Sequence, residues 1–263
     1  MKRFYRIDHR GTPRHVIEES GRWRLLEGDL FGRHEAGDEI PSTGQRLLSP
    51  VEPSKIVAIG LNYKDHAAEQ HKPLPKEPMM FLKPSTAGFG PGDLIVIPDG
   101  VGRVDHEAEV GVVIGRRASH VRAADASSYV LGLTCFNDVT ARELQAKDVQ
   151  YTRAKGFDTF AAIGPCVAAG IDYHAPEGVA IEGWVNGERR QASSTKQLVF
   201  PIDQLIEFIS NVMTLLPGDV IATGTPAGIG PLKAGDSVTI KVQGVGELTN
   251  PVGHAITVGG TRS

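Results

Sequence analysis

A run of ten residues, 105–114, sets two carboxylates two positions apart at the start of an apolar stretch. Because side chains alternate along a strand, Glu107 and Glu109 would share one face, and the apolar side chains that follow would lie mainly on the other. Like charges on one face repel, so a buried pair must keep a proton or bind a cation. The run therefore predicts a strand that carries either a solvated acidic surface or one side of a metal site.

A third carboxylate, Asp138, follows a second apolar stretch at 129–136, where a strand is expected to give way to a helix. Three carboxylates suit a hard cation such as Mg²⁺, Mn²⁺ or Ca²⁺. The sequence has no cluster of cysteines and histidines of the kind that holds zinc. Glu107, Glu109 and Asp138 are therefore the candidate metal ligands.

Glycine and proline punctuate the whole chain. The 263 residues include 31 glycines and 17 prolines, which separate short segments rich in Val, Ile and Thr and so predict many short strands. Three Gly-Asp pairs, at 92–93, 218–219 and 235–236, each precede an apolar run and are expected to start hairpins. Their irregular spacing excludes a repeat architecture.

Two parts of unequal size are expected. Residues 1–50 hold short strand-like pieces and end in polar sequence with glycine and proline, which predicts a small N-terminal β subdomain. Residues 51–263 would form the larger, catalytic domain with a substantial core. Within that core, a helical apolar pattern covers 203–216, with Asp203 as its expected cap.

Charge and composition limit the classes of binding partner and the cellular compartment that are expected for this protein. The net charge of -3 and the pI near 6.3 provide no basic surface for a phosphate backbone, so nucleic acid is not an expected partner. A charged N-terminus and the lack of a long apolar span make export and membrane insertion unexpected. Cys135 and Cys166 lie in apolar surroundings without CxxC spacing, which favours buried thiols over a disulfide. A cytoplasmic location fits.

The sequence after Asp138 has a helical composition, which places Arg142 and Gln145 three residues apart on one face. A guanidinium fork and an amide beside a metal would suit a substrate carboxylate or carbonyl. Arg142 and Gln145 are therefore candidate substrate-binding residues. The alternative is a solvated helix face with an ion pair between Asp138 and Arg142.

His66 and Glu69 lie three residues apart in a short helix expected over 63–70, with Asn62 as its cap. A carboxylate beside an imidazole orients the ring and raises its basicity, so this pair is a candidate for activating water. An exposed pair without a function is the alternative. The segment 70–78 contains three prolines and predicts a stiff loop or lid beside the pair.

Two further positions are candidates for binding charge. Lys155 follows the expected helix and is either a surface lysine or a cation that neutralises developing oxyanion charge. The glycine-rich loop 224–230 lacks both the Gly-Lys-Ser/Thr ending and the GxGxxG spacing of nucleotide sites. Its backbone N–H groups and the Thr225 hydroxyl would instead approach a small anion.

Together, the motifs resemble those of the fumarylacetoacetate hydrolase family, in particular its bacterial single-chain members. Each motif is weak alone, but their joint order over residues 48–258 is specific. The motifs are GLNYKDHAAE (60–69), FLKPS (81–85), HEAE (106–109), FNDVTAR (136–142), RAKGFDTF (153–160), MTL (213–215) and TGTPAG (223–228).

The resemblance implies an α+β fold, a mixed β-roll with a few flanking helices, usually assembled as a homodimer. It also implies a divalent ion, Mg²⁺ or a similar one, at the positions of Glu107, Glu109 and Asp138. The resemblance implies that Lys155 lines the site. It also implies that His66 and Glu69 form a water-activating dyad on a mobile segment.

The sequence departs from the family pattern at three positions. His106 stands where an aromatic residue is frequent, Tyr151 where tryptophan is expected, and Ala162 where proline is common. None of these changes removes an expected metal ligand. They alter the expected shape of the pocket and hence the substrate.

The expected function is divalent-metal-dependent chemistry on 2-oxo or 2,4-dioxo carboxylates, with C–C hydrolysis of an acylpyruvate as the leading hypothesis. His66, oriented by Glu69, would deliver water while the metal and Lys155 stabilise the leaving enolate. Isomerisation of 2-hydroxymuconate-type acids and decarboxylation of oxaloacetate-like acids are the alternatives within the same chemistry. A non-catalytic calcium-binding domain is a remote alternative, and a phosphoryl-transfer enzyme would need a phosphate loop that the sequence lacks.

Overall fold

The computed structural model describes residues 1–254. Residues 255–263, which end the predicted larger domain and the region of family resemblance, lie outside the described part. The strands are β1 (Lys2–His9), β2 (Thr12–Glu19), β3 (Arg22–Gly28), β4 (His34–Ile40), β5 (Arg46–Leu48), β6 (Ile56–Gly60), β7 (Met79–Lys83), β8 (Gly88–Phe89), β9 (Ile95–Ile97), β10 (Val104–His106), β11 (Ala108–Ile114), β12 (Val130–Asp138), β13 (Thr140–Ala141), β14 (Ala161–Ala169), β15 (Ala180–Val185), β16 (Glu188–Ser194), β17 (Val220–Ala222), β18 (Gly230–Pro231), β19 (Ser237–Val242) and β20 (Gly246–His254).

Helices are few and short. The α-helices are α1 (Lys64–Glu69), α2 (Arg142–Lys147), α3 (Thr152–Lys155) and α4 (Ile202–Val212), and the 3₁₀ helices are Ser85–Ala87, Ala123–Tyr129 and Thr195–Gln197. In the described part of the chain, none of them has the length and apolarity needed to cross a membrane.

The strands form three sheets with mixed pairing. The largest has twelve strands in the order β4-β3-β2-β1-β14-β12-β11-β17-β6-β7, with β5 beside β1 and β8 beside β14. β11, β12 and β14 pair antiparallel, whereas β17 runs parallel to β6. The smaller sheets have the orders β13-β10-β18 and β16-β15-β19-β20-β9. The predicted α+β fold with mixed sheets is confirmed.

The core lies on both faces of the central strands. β11 is buried along its whole length, which explains why its sequence is a nearly continuous apolar run. Val110 and Val112 pack with Ile181 and Ile240 from the five-stranded sheet. Val113 points the other way into a second apolar cluster. The predicted alternation along this strand is therefore present.

The N-terminal strands continue the largest sheet. β1 pairs antiparallel with β14, so that Phe4 lies opposite Val167, and β2, β3 and β4 follow outward from β1. Phe4 and Ile17 pack in the same apolar cluster as Phe136 of β12. The division at residue 50 stays a prediction, and the sheet is continuous across it.

The predicted cap of α1 is wrong. The helix begins at Lys64 after Tyr63, without a capping side-chain hydrogen bond. Asn62 is fully buried and bonds across the fold instead: its Nδ2 donates to the carbonyls of Phe200 (3.1 Å) and Thr223 (2.8 Å), and its Oδ1 accepts from the Phe200 N–H at 2.9 Å. These long-range partners compete with the local capping role.

The helix predicted over 203–216 is shorter than expected and has a different cap. α4 ends at Val212, since Met213 is extended with φ of -148° and Leu215 forms a β-bridge with Ala118. Asp203 lies inside the first turn, where its carboxylate accepts from the Tyr173 hydroxyl at 3.0 Å. The apolar spacing found the helix, and tertiary pairing ended it early.

Of the three Gly-Asp turns, one starts a hairpin. The turn at 235–236 leads into β19, which pairs antiparallel with β20. The turn at 92–93 leads to β9, which pairs parallel with β20, and the turn at 218–219 leads to β17, which lies between β11 and β6. The hairpin prediction was wrong for these two, because a turn signal does not specify which strand becomes the partner.

The cysteines are buried free thiols, as predicted. Their sulfur atoms lie near backbone carbonyls, Cys135 Sγ at 3.4 Å from the Gly246 oxygen and Cys166 Sγ at 3.5 Å from the Val245 oxygen. Burial raises the pKa of the Cys166 thiol to about 12. Both thiols are therefore protonated and inert at neutral pH.

Candidate metal centre and active site

Three carboxylates from two neighbouring segments of the chain lie close together. Glu107 lies between β10 and β11, Glu109 lies in β11, and Asp138 ends β12. The backbone N–H of Asp138 donates to the Glu107 carbonyl at 2.9 Å, which fixes the register at this corner. One carboxylate oxygen of each residue lies within 4.8 Å of the others, and all three side chains are buried. The predicted convergence of the acidic residues is present.

Two buried lysines hold part of this acidic cluster. Lys155 Nζ lies 2.8 Å from Glu107 Oε2 and 2.5 Å from Asp138 Oδ2. Lys83, at the end of β7, donates to Asp138 and to the Val139 carbonyl, the latter at 3.3 Å. The pKa of Lys155 is raised, since the surrounding carboxylates outweigh the effect of burial. Lys155 is therefore a buried cation, and the surface-lysine alternative is wrong.

Arg142 is anchored by two carboxylates and a glutamine. Its Nε donates to Asp105 Oδ2 at 3.0 Å, one terminal nitrogen donates to Glu107 Oε1 at 2.5 Å, and the other donates to Gln145 Oε1 at 2.5 Å. Asp105 is fully buried and also accepts from Arg103 at 2.6 Å. The alternative of an ion pair between Asp138 and Arg142 is thus not what the structure shows.

Glu109 differs from the other two carboxylates. Its Oε2 accepts from the Gly224 N–H at 2.8 Å, and among residues 1–254 it forms no ion pair. Burial and the charges of Asp138 and Glu107 raise the pKa of Glu109 well above its usual value. By contrast, Lys155 and Arg142 overcome the effect of burial and hold the pKa of Glu107 well below its usual value.

This donor set fits a hard divalent cation. The cluster supplies carboxylate oxygens from three side chains at mutual distances suited to one ion. The protein's own cations satisfy Glu107 and Asp138 but leave the Glu109 charge buried without a counterion in the described part of the chain. A buried carboxylate in that state either binds a proton or a cation. The site is therefore a candidate metal centre.

The predicted dyad is formed on α1. His66 is 5% exposed, and its Nδ1 lies 2.9 Å from Glu69 Oε2. An ionised carboxylate only accepts, so Nδ1 carries the proton and Nε2 is left as the acceptor. Gln70 Nε2 lies 2.7 Å from that nitrogen and donates to it. Glu69 is held in turn by the Gly228 N–H, which donates to its Oε1 at 2.9 Å.

The glycine-rich loop 224–230 binds carboxylates of the protein itself. Its Gly224 and Gly228 N–H groups donate to Glu109 and Glu69, so the prediction that these N–H groups approach a small anion was wrong for both of them. Thr225 Oγ1 donates to the Ala108 carbonyl at 2.9 Å. The loop thus ties the dyad and the metal candidate to one backbone segment.

A cavity of about 300 Å³ joins these groups. Phe81 and Tyr151 contribute aromatic walls, and Gln70 and Lys72 line it from the segment 70–78, whose role as a lid stays a prediction. Glu69 and Asp138 contact lining residues from behind. The predicted site residues that line the cavity are His66, Glu107, Glu109, Arg142, Gln145, Lys155 and Thr225.

Sequence reasoning missed Lys83, Asp105 and Gln191. Lys83 is a single lysine at the end of an apolar run, and that position is its one local sequence signal. In the structure it is fully buried, as a lysine is only when it has a partner. Asp105 precedes the acidic pair and was given no separate role. Gln191 donates to Thr225 Oγ1 at 2.8 Å from a distant strand, and nothing in its local sequence indicates this.

Comparison with known proteins identifies the family. The model of the fumarylacetoacetate hydrolase C-terminal domain matches residues 55–253. A bovine mitochondrial protein, oxaloacetate tautomerase FAHD2B, is 40% identical over 81% of this chain and 71% of its own length.

Solved structures agree with the sequence comparison. The 5-carboxymethyl-2-hydroxymuconate delta-isomerase from Mycobacterium smegmatis is 43% identical, covering 96% of this chain and 100% of that one, with a TM-score of 0.88. A maleylpyruvate hydrolase from Sphingobium, in complex with manganese and pyruvate, is 29% identical over 97% of this chain and 100% of that one, with a TM-score of 0.80. The chain belongs to the fumarylacetoacetate hydrolase family.

Proposed function

We propose that the protein is a divalent-metal-dependent hydrolase that cleaves the C3–C4 bond of an acylpyruvate, between the methylene carbon and the distal carbonyl carbon. The observation that carries this proposal is the dyad: His66 Nδ1 lies 2.9 Å from Glu69 Oε2, which leaves Nε2 as the basic nitrogen, and His66 lines the same cavity as Glu107 and Glu109. A reaction that adds water needs such a base beside the electrophile.

The metal would be held by Glu107, Glu109 and Asp138. Mg²⁺ or Mn²⁺ matches three carboxylate donors, and Ca²⁺ is compatible with the same oxygen set. The manganese and pyruvate bound in the Sphingobium relative support a divalent ion and a 2-oxo acid at this kind of site. When bound, the cation would supply Lewis-acid polarisation of the 2-oxo group.

His66 and Glu69 would activate water. The Glu69 carboxylate fixes the Nδ1–H tautomer and stabilises the imidazolium that forms when Nε2 takes a proton. Since the Gln70 amide donates to Nε2 in this structure, a water molecule must replace that amide before it can be activated. Gln70 caps the C-terminal end of α1, and a rotation of its side chain would free His66 Nε2.

The remaining polar groups would bind substrate and neutralise charge. Arg142 donors and the Gln145 amide line the cavity, where they suit the 1-carboxylate of a 2-oxo acid. Lys155, held between Glu107 and Asp138, places an ammonium group where developing enolate charge needs a cation. Thr225 adds a buried hydroxyl to the same wall.

The step balances without a further reactant. The water oxygen adds to the distal (C4) carbonyl carbon of the acylpyruvate, and His66 Nε2 accepts the proton. The C3–C4 bond then breaks, leaving a carboxylic acid, and its electron pair passes to C3 of the departing pyruvate enolate. A proton transferred to C3 gives pyruvate and restores the neutral dyad.

The test is hydrolysis of acetylpyruvate and fumarylpyruvate with Mg²⁺ or Mn²⁺, followed by coupling the released pyruvate to lactate dehydrogenase. We expect His66→Asn to lower kcat by about 10²- to 10⁴-fold, the range of general acid-base catalysis. His71→Asn is the matched control, since His71 is an exposed residue just beyond the helix. Equal rates for His66→Asn and wild type would remove the dyad from the mechanism.

Keto–enol isomerisation of a 2-oxo dicarboxylate is the second candidate, and the names of the bovine tautomerase and the mycobacterial isomerase favour it. This reaction moves a proton at C3 and consumes no water. Oxaloacetate tautomerisation, followed by ultraviolet absorbance of the enol, distinguishes it. Rapid interconversion of oxaloacetate with no pyruvate released from any acylpyruvate would replace the hydrolase proposal with this one.

A further inference from the structure

A second cavity lies apart from the metal centre, between β10, β18 and the loop that joins β15 to β16. Its volume is about 540 Å³. His106, Arg190 and Lys233 line it, together with the backbone of 228–230. None of the predicted catalytic, metal or substrate residues contributes to its wall.

The proton positions on His106 follow from its neighbour Gln191. Gln191 Oε1 accepts from the Ala108 N–H at 2.9 Å, and its Nε2 donates to the Pro226 carbonyl at 2.8 Å. These two backbone partners fix the orientation of the amide. His106 Nδ1 lies 3.1 Å from Oε1, so this nitrogen must carry a proton. The neutral ring then has a lone pair on Nε2.

That lone pair has no partner in the protein. His106 is 1% exposed, and its Nε2 is buried with no hydrogen bond to any residue of the described chain. Gly230 lies opposite His106 in the β10–β18 pair. A Cβ at Gly230 would lie 3.6 Å from Nε2, at van der Waals contact, so glycine leaves unfilled the space that a methyl group would occupy there. Buried acceptors of this kind normally have a donor.

The wall of the cavity carries two cationic side chains, Arg190 and Lys233, and one carboxylate, Asp236. Asp236 is committed to other groups, because it accepts from the Lys233 N–H at 2.7 Å and from Asn186 Nδ2 at 2.8 Å. The Lys233 ammonium has no ion pair among residues 1–254, and Arg190 pairs with Glu188, which is 66% exposed. Exposed pairs of this type are weak, so both cations are available to an anion.

We propose that this second cavity binds a small hydroxycarboxylate. The carboxylate would lie between Arg190 and Lys233, and the hydroxyl would donate to His106 Nε2. The two features are complementary: the cations select an anion, and the buried lone pair selects an anion that also carries a hydroxyl group.

The same hydrogen bonds connect this cavity to the catalytic one. His106 donates to Gln191, and Gln191 Nε2 donates to Thr225 Oγ1 at 2.8 Å. Thr225 lines the catalytic cavity. His106 is therefore two hydrogen bonds, and a ligand on its Nε2 three, away from a residue that lines the catalytic cavity.

The test is isothermal titration of the intact protein with L-malate and with succinate, which lacks the hydroxyl. EDTA is present throughout, so that chelation at the metal centre does not contribute and the outcome does not depend on the proposed function. We expect L-malate to bind about tenfold more tightly than succinate, which corresponds to one good hydrogen bond to a buried acceptor.

Two matched variants locate the site. Arg190→Gln should weaken L-malate binding by about tenfold or more, since a charge-assisted contact is lost. Arg189→Gln is the control, because Arg189 is the next residue and pairs with Glu182 at 3.0 Å, away from the cavity. His106→Phe should make the affinities for L-malate and succinate equal.

Several results would overturn the proposal. Equal affinity of the wild type for L-malate and succinate removes the role of His106, and equal effects of Arg190→Gln and Arg189→Gln remove the cavity as the site. No measurable heat with L-malate up to about 10 mM also overturns it. Competition by inorganic phosphate at the same strength as L-malate would show an unselective anion site in its place.

Discussion

Two buried carboxylates lie at opposite ends of the strand pair formed by β11 and β17, and their surroundings differ. Asp219, before β17, accepts four donors: the Ser54 hydroxyl at 2.6 Å, the Lys55 N–H at 3.2 Å, the Leu216 N–H at 2.7 Å, and the Lys55 ammonium. Glu109, near the start of β11, accepts one donor, the Gly224 N–H.

The difference indicates that Asp219 has a structural role and that Glu109 is a candidate metal ligand. Neighbouring donors satisfy Asp219, so its charge is used to hold the turn before β17 against the segment at 54–55. Glu109 is equally buried, but the fold supplies no cation to it within the described chain. Burial alone does not indicate function. The number of donors that the fold supplies is the more informative property.

Replacing Glu109 should have the largest effect, and that effect should be on metal-dependent activity. Glu109→Gln should reduce metal-dependent turnover by about 10³-fold or more, because one of three anionic ligands is lost. The metal-free variant should unfold at the same temperature as wild type or higher, since the amide replaces a buried carboxyl group that has no cationic partner. Manganese titration calorimetry and thermal melts in EDTA measure the two effects.

Exposed Glu39→Gln is the control for that variant and should change neither quantity. A clear loss of stability in metal-free Glu109→Gln would contradict the comparison, since Glu109 would then have a structural role as well.

Replacing Asp219 should have the next largest effect, and that effect should be on the stability of the protein. Asp219→Asn should lower the free energy of unfolding by about 3 kcal/mol, because it breaks a buried ion pair with Lys55 and leaves that ammonium without its partner. Urea unfolding measures the loss. The kcat of the folded variant should remain near the wild-type value, and a loss of activity without a loss of stability would reverse the assignment of roles.

Metal addition sharpens the same comparison. At a free metal concentration of about 100 times Kd, the wild type should gain about 2.7 kcal/mol of apparent stability, because the ion binds the folded state. Asp219→Asn should gain the same increment and Glu109→Gln essentially none. The measurement is a set of thermal melts with and without Mn²⁺. An equal gain in both variants would place the ion elsewhere.

The smallest effect concerns His15, which is remote from both carboxylates. Burial lowers its pKa, and its Nε2–H donates to the Pro50 carbonyl at 3.2 Å. Below about pH 6.5 the unfolded chain binds a proton more readily than the folded one, so stability falls as the pH falls through the lowered pKa. His15→Gln should flatten this part of the curve of stability against pH. An unchanged slope would mean that another group causes the loss.

Local sequence patterns predicted the parts of the site that depend on spacing. The alternation at 105–114 predicted that Glu107 and Glu109 lie on the same side, which holds although the expected single strand is interrupted at Glu107. The three-residue spacing of His66 and Glu69 on a helix produced a hydrogen-bonded pair. Asp138 was predicted as the third ligand from its position after the next apolar stretch, and the family resemblance implied the same set. The two spacing predictions depend on backbone geometry within a few residues, whereas Asp138 joins the site through the pairing of β11 with β12.

Long-range partners account for what the sequence did not predict. Asn62 has the residue type and position of a helix cap, but its side chain bonds to Phe200 and Thr223. Lys83 and Asp105 complete the charge balance of the site across 55 and 37 positions of the chain. Such contacts are specified by the packing of whole strands, which a single sequence does not display.

The loop 224–230 has a consequence for how proteins of this architecture diverge. Thr225 faces the catalytic cavity, whereas residues 228–230 face the second one. A single short backbone segment is therefore a partition that forms part of the wall of both cavities. Any substitution that reshapes one chamber also displaces the wall of the other. A substitution in this segment that alters the catalytic cavity is therefore expected to change ligand binding in the second cavity as well.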